Sequence, residues 1–398
     1  MENKLETNMQ PTAPYLTPQG RDLRLDFIRG VVMWILIINH MEIFSLWNYL
    51  VWERIGVVSG GEGFVIVSGI VLGLINRKKI DRIGLGKVVN NCIDRASQLY
   101  RVNIFIIVSV LFLQLLPFLD ASVAMTFHDR GADKIYPLYP SMDTPVLTWI
   151  AQILLLRCGP HQFQIMGLYV ILIGMTPVIL WLFGKKRVWH VLAVSWIVYF
   201  YQIISPSRPT QAQFEYGFPL LAWQLIYIHG MAVGYHWHQC AEWLRQGRRK
   251  QGLLGICAVF FVFFWFFTLH NPSPKFPEFM KLHFFEKDLF YSIYHTYFRK
   301  NQLGILRIMN YAVILVLAIH LMSKQWPLIQ KLLGWYFVPV GQATLYAFII
   351  HVYMLILFDQ LGLLNHSNIW LNTAIHTMAL AVVWVMVRFR VGFKWIPR

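Results

Sequence analysis

The sequence predicts an all-α membrane protein: a polytopic bundle of about ten transmembrane helices with both termini cytoplasmic. Three observations carry this. Of 398 residues, 57% are hydrophobic and only 14% are charged, where a soluble domain holds nearer a quarter charged. Ten apolar stretches have the roughly 17–25 residues that a bilayer core demands. Threaded in alternation, they leave most of the 35 Lys and Arg residues on one side, which marks the cytoplasmic face. The net charge of +16 does not point to nucleic acid, because no basic stripe with interleaved aromatics stands on a polar segment. Cys92, Cys158, Cys240 and Cys257 are scattered without C-x-x-C spacing, so they suggest neither a disulfide framework nor a zinc site.

Residues 1–24 read as a polar cytoplasmic tail. Pro11, Pro14 and Pro18 interrupt it, and it lacks the apolar core of a cleavable signal, so the first helix is expected to serve as an uncleaved anchor. Residues 25–390 read as one integral membrane domain and 391–398 as a short basic cytoplasmic tail. The expected spans are 25–47, 56–76, 100–118, 162–183, 188–204, 219–238, 252–269, 305–323, 337–358 and 370–388. Orientation follows from the basic clusters after the even spans. These are Arg77, Lys78, Lys79 and Arg82; Lys185, Lys186 and Arg187; Arg245, Arg248, Arg249 and Lys250; and Arg388, Arg390, Lys394 and Arg398.

Between spans two and three, "LGKVVNNCIDRASQLYR" sets Val88, Val89, Cys92, Ala96 and Leu99 opposite Lys87, Asn91, Asp94, Arg95 and Gln98. This is the pattern of an amphipathic helix lying on the inner surface, either a plain connector or the holder of a cytosolic ligand. The run 145–158 is too short to span and reads as interfacial or re-entrant. The long outer loops 119–161, 205–218 and 270–304 are rich in proline and aromatics, suited to cover a site or to grip a polar polymer.

The chemistry sits in polar residues placed where lipid is expected. Eleven positions separate Arg29 from His40, close to three full helical turns, so both share one face roughly 16 Å apart along the axis. Asp26 lies one turn below Arg29 on that stripe. Arg29 falls near the inner interface and His40 about halfway across a core of about 30 Å. A charge at mid-membrane costs about 2.5–3.5 kcal/mol, so such residues face a cavity or a partner. Simpler readings stand beside this one: His40 as a hydrogen bond to a neighbouring helix, and Asp26 with Arg29 as an interfacial anchor. In span two, Glu62 shares a face with Gly69 and Gly73, a small-xxx-small contact; it is expected either to pair with His40 or Arg29 or to reach the outer interface. His351 in span nine shares a face with Thr344 and reads as a packing hydrogen bond. Gln224 and Arg307 open spans six and eight near the outer side, to bind substrate or to meet headgroups. His236 and His238 are too badly placed for a metal pair. No Walker motif, G-x-S-x-G elbow or zinc motif is present.

These same residues carry a family likeness. "RDLRLDFIRG" with "INH" at the end of span one, then "EGFVIVSGIVLGL", "LLLRCGPHQFQIMGLYV", "FPLLAWQLIYIHG", "LGILRIMNY" and "GQATLYAFIIHV" resemble, in order from residue 21 to about 355, the OpgC family of membrane succinyltransferases. That family belongs with the acyltransferase-3-like proteins, whose first span carries an arginine, ten residues and a histidine; Arg29 and His40 match. Such proteins often have an aspartate before the histidine, where this chain has Asn39. The resemblance implies an acyltransferase of the inner membrane that moves a succinyl group from cytosolic succinyl-CoA to hydroxyls of periplasmic glucans, with no bound cofactor or metal. On that reading Arg29 and Asp26, with Arg95 and Arg101, hold the acyl-CoA, His40 is general base or transient acyl carrier, and Glu62 and Asn39 orient it. The partners implied are the acyl-CoA donor, the glucan acceptor and membrane lipid. The rival expectations are acetyl transfer to another envelope glycan and transport of a small organic anion.

Overall fold

The structure, a computed structural model, describes residues 13–129, 134–244, 247–364 and 367–398. The first twelve residues of the expected tail, loop residues 130–133 and Arg245 lie outside them. In chain order come α1 (Leu23–His40), α2 (Asn48–Val51), α3 (Gly60–Ile83), α4 (Leu85–Gln114) and α5 (Ser122–Met125). A hairpin of β1 (Thr126–Asp129) and β2 (Lys134–Pro137) follows, paired antiparallel. Next are α6 (Val146–Leu154), α7 (Gln164–Gly184), α8 (Val188–Ile204), α9 (Leu220–Tyr235), α10 (Trp237–Trp243) and α11 (Gly247–Leu269). The chain ends with α12 (Lys287–Tyr297), α13 (Ile305–Ile329), α14 (Trp335–Gln342), α15 (Thr344–Gln360) and α16 (Ile369–Arg388). Apart from the hairpin, the described residues are helical or connecting. Among the described residues five stretches are long and apolar enough to cross a membrane: Leu85–Gln114, His161–Gly184, Gly247–Leu269, Ile305–Gln342 and Ile369–Arg388. α8 and α15 are shorter apolar helices.

Local chemistry sets the helix starts that matter for the site. Asp22 caps α1, its carboxylate accepting from the Arg24 amide at 3.0 Å. Ser59 and Glu62 form a capping box at α3, with the Ser59 amide donating to Glu62 at 3.0 Å. α4 corrects one expectation. The amphipathic segment is no separate surface helix but the first half of a single 30-residue helix. Its buried stripe, Val88, Cys92, Leu99, Ile106 and Val110, runs through both halves without a break in period.

The interior is built from α1, α3, α9 and α15, and α9 and α15 are buried on nearly all sides. Glycines decide how closely these helices approach. On the α3–α9 contact a side chain at Gly69 or Gly73 would overlap the Tyr227 or Met231 carbonyl, and one at Gly230 or Gly234 the Ile66 or Ile70 carbonyl. Residue numbers rise together along that contact, so the two helices run parallel. α1 meets α14 in the same way, Gly30 against the Phe337 carbonyl and Gly341 against that of Asp26, but antiparallel. The chain then reverses at Ala343, and α15 runs parallel to α1. Residues 337–358, expected as one span, are therefore two helices of opposite direction. The short helix α6 has no buried residue, and Val146, Leu147 and Ile150 are exposed. Its C-terminal end is tied to α4 by Tyr100, whose hydroxyl donates to the Leu154 carbonyl at 2.9 Å.

Candidate active site

α1 carries both ends of the polar stripe in one unbroken helix, and both ends turn towards α15. At the lower end the Arg29 Nη2 donates to Thr344 Oγ1 at 2.5 Å. Asp26 lies 4.0 Å from Arg29 and is held mainly by Arg21, at 2.5 and 2.7 Å, and by Gln342 at 3.3 Å. The Arg29 Nε is buried without a hydrogen-bond partner. The guanidinium thus spends its charge on one hydroxyl and one distant carboxylate.

At the upper end His40, half-buried as the last residue of α1, meets His351 of α15. His40 Nδ1 lies 2.9 Å from His351 Nε2, with the rings stacked at 5.1 Å. A third imidazole, His161, stands edge-on to His40 at 5.9 Å, its Nε2 3.3 Å from Glu42. His161 opens the 3₁₀ turn His161–Phe163 that leads into α7. Sequence reasoning did not single it out; a histidine between a proline and the first residues of a long apolar run was the available signal. Among the described residues no group of three His, Cys, Asp or Glu side chains is arranged to hold a metal ion.

The hydrogen bonds of Glu62 and Asn39 go to partners other than His40. Glu62 is buried, with one oxygen 2.9 Å from Arg307 Nη1 and the other accepting from the amide and hydroxyl of Ser59, at 3.0 and 2.5 Å. The capping geometry at Ser59 and the Arg307 ion pair fill the carboxylate. The Asn39 carbonyl oxygen accepts from the Trp52 indole at 3.1 Å. Arg307 is fully buried and neither reaches headgroups nor faces outward. It donates to Glu62, to Glu53 at 2.6 Å, to the Phe298 carbonyl at 2.7 Å and to the Tyr294 hydroxyl at 3.2 Å. Gln224 is likewise consumed internally, accepting from Ser195 Oγ at 2.7 Å and donating to the Ser195 carbonyl at 2.9 Å.

Arg95 and Arg101 line a cleft of about 560 Å³ between the end of α3 and the first half of α4, with Lys79, Asn76, Asn91 and Gln98. Arg95 donates to Gln98 at 2.6 Å, and its charge reaches Arg29. Lys79 joins these two arginines only in three dimensions. On the opposite side, Lys300 of the loop after α12 acts electrostatically on His40, His161 and Glu62 alike. The arrangement is a set of cations around a cleft between α3 and α4 and, on α1, a half-occupied guanidinium with an imidazole towards the far end of that helix.

A family model described as OpgC protein matches residues 21–395, nearly the whole chain. No curated protein and no solved structure matches.

Proposed function

The chain belongs to the OpgC family, and on that premise we propose that it is an inner-membrane O-acyltransferase that moves a succinyl group from cytosolic succinyl-CoA to hydroxyls of a periplasmic glucan. The observation that carries this reading is the single helix α1, with Arg29, within reach of the charge of Arg95, towards one end and a bondable His40 roughly 16 Å away at the other. The donor is a polyanion and the acceptor a polar hydroxyl, so a site for this transfer needs cations and a base held apart in that order. Lys79, Arg95 and Arg101 meet the phosphates through charge-assisted hydrogen bonds. Arg29, with its unpartnered Nε, grips the donor further in. His40 Nε2 takes the proton of the acceptor hydroxyl as its oxygen attacks the thioester carbonyl carbon. The carbon–sulfur bond breaks, and the departing thiolate recovers the proton from His40. The ten-span topology with cytoplasmic termini belongs to the same reading. Its support is that α1 and α15 run parallel, as the first and ninth spans of such a chain must.

The test is the charge of periplasmic glucans, read by anion-exchange chromatography. Cells lacking the protein receive the wild-type chain or His40→Ala, at matched membrane levels. Anionic glucans with the wild type and neutral ones with the variant are expected, with mass analysis identifying the acyl group as succinyl rather than acetyl. Neutral glucans in both strains reject the acceptor or the acyl group. Anionic glucans in both remove His40 from the chemistry.

A further inference from the structure

His40 is one of three clustered imidazoles, and the hydrogen bonds around it fix where its proton sits. His351 Nδ1 lies 2.7 Å from the Phe348 carbonyl oxygen. A carbonyl only accepts, so His351 Nδ1 carries the hydrogen and, in the neutral ring, His351 Nε2 carries the lone pair. That lone pair faces His40 Nδ1 at 2.9 Å, so His40 Nδ1 must be the donor. The remaining nitrogen of His40, Nε2, then holds a lone pair and has no hydrogen-bond partner among the described residues. From this chain of donors and acceptors we infer that His351 is a positioning residue: it sets the tautomer of His40 and presents His40 Nε2 as the base. The inference rests on the acyl-transfer reading above and names the group that does for His40 what Asn39 and Glu62 do not.

The backbone makes the device rigid. His351 is buried in the middle of α15, and its own acceptor is the carbonyl three residues earlier in the same helix. The ring cannot turn without leaving Nδ1–H buried and unpaired, which costs about 1–3 kcal/mol. When His40 takes up a proton, its Nδ1–H becomes a charged donor to the same lone pair, and such bonds are about twice as strong as neutral ones. The contact therefore tightens at the step that needs it.

The experiment compares the full chain in membranes, at matched levels, as wild type, H351F, H351L, H351Q and H40A, with succinyl-CoA and neutral periplasmic glucan as substrates. Phenylalanine keeps a ring but no acceptor; leucine keeps neither; glutamine places an amide oxygen near the position of Nε2. The expected result is a kcat at least about tenfold lower in H351F and H351L, a part of the 10²–10⁴-fold that a general base contributes, with KM for both substrates unchanged. H351Q recovers most of that loss. Wild-type kcat in H351F and H351L would overturn the inference, and so would an H351Q as slow as H351F. Activity in H40A would instead reject the acyl-transfer role of His40, an outcome that this arm alone reports.

Discussion

Arg29 and Arg307 are both guanidinium groups inside helices of an apolar chain, and their surroundings give them opposite work. Arg307 is wholly buried, and its donors are spent on two carboxylates, a carbonyl and a phenol. A cation so enclosed is structural, because removing it would leave Glu62 buried without a counter-charge and Glu53 without its partner. Arg29 is half-buried, with one hydroxyl acceptor and an unpartnered Nε. Its positive charge is therefore available to a ligand. Arg29→Ala is expected to weaken acyl-CoA use by about 1.5–3 kcal/mol, the worth of a hydrogen bond to a charged group, or roughly a ten- to hundredfold rise in apparent KM for the donor. Steady-state kinetics at saturating acceptor decides it, and an unchanged donor KM would take Arg29 out of the donor site. Sequence placed Arg29 and His40 on one stripe because the helical period alone fixes that. It did not separate Arg307 from a headgroup contact, because which acceptors a buried arginine finds depends on residues such as Glu53 and Glu62, far from it in the chain.

Between helices, the decisive quantity is how closely two backbones can approach. In lipid, apolar side chains give little net drive to helix association, so close packing and interhelical hydrogen bonds carry it. The α3–α9 contact uses glycines from both partners, Gly69 and Gly73 against Gly230 and Gly234. A Gly73→Val substitution drives a branched side chain into the Met231 carbonyl and is expected to cost about 1–3 kcal/mol or more through overpacking. A lower thermal midpoint of the purified protein in detergent would register this, and an unchanged midpoint would mean that α9 gives way without cost. The half of this contact on α3 was legible as a small-xxx-small pattern. The half on α9 shows the same spacing, but nothing in either helix names the other as its partner. The Ser59-x-x-Glu62 spacing was equally visible as a capping signature. The Glu62 carboxylate serves that cap and Arg307, and neither His40, Arg29 nor the outer interface.

Across the whole molecule, the parallel run of α1 and α15 constrains the threading of the chain. Arg29 meets Thr344 and, further along, His40 meets His351. Two membrane-crossing helices can be parallel only if an odd number of crossings separates them, and seven separate the first and ninth of ten spans. Both termini are thus expected on the same face. Reporters fused in turn to the N- and C-terminus should give the same sidedness, cytoplasmic by the basic-residue rule. Opposite signals would reject ten spans. The same threading sets the cleft of Lys79, Arg95 and Arg101 on the side of the Arg29 end of α1 and Lys300 on the side of the His40 end, as the proposed transfer between opposite faces requires.

By itself the sequence determined the all-helical class of the molecule, most of its apolar stretches and the polar stripe on α1. These depend on composition and on a local period, and both are properties of short windows. Only the tertiary structure decided that His40 meets His351, that Lys79 joins Arg95 and Arg101, and that residues 337–358 turn back on themselves at Ala343. A hydrophobic pattern says which face of a helix avoids water, but in a membrane nearly every face does, so the pattern cannot choose among neighbours. That choice falls to glycines that permit contact and to single hydrogen bonds between residues hundreds of positions apart.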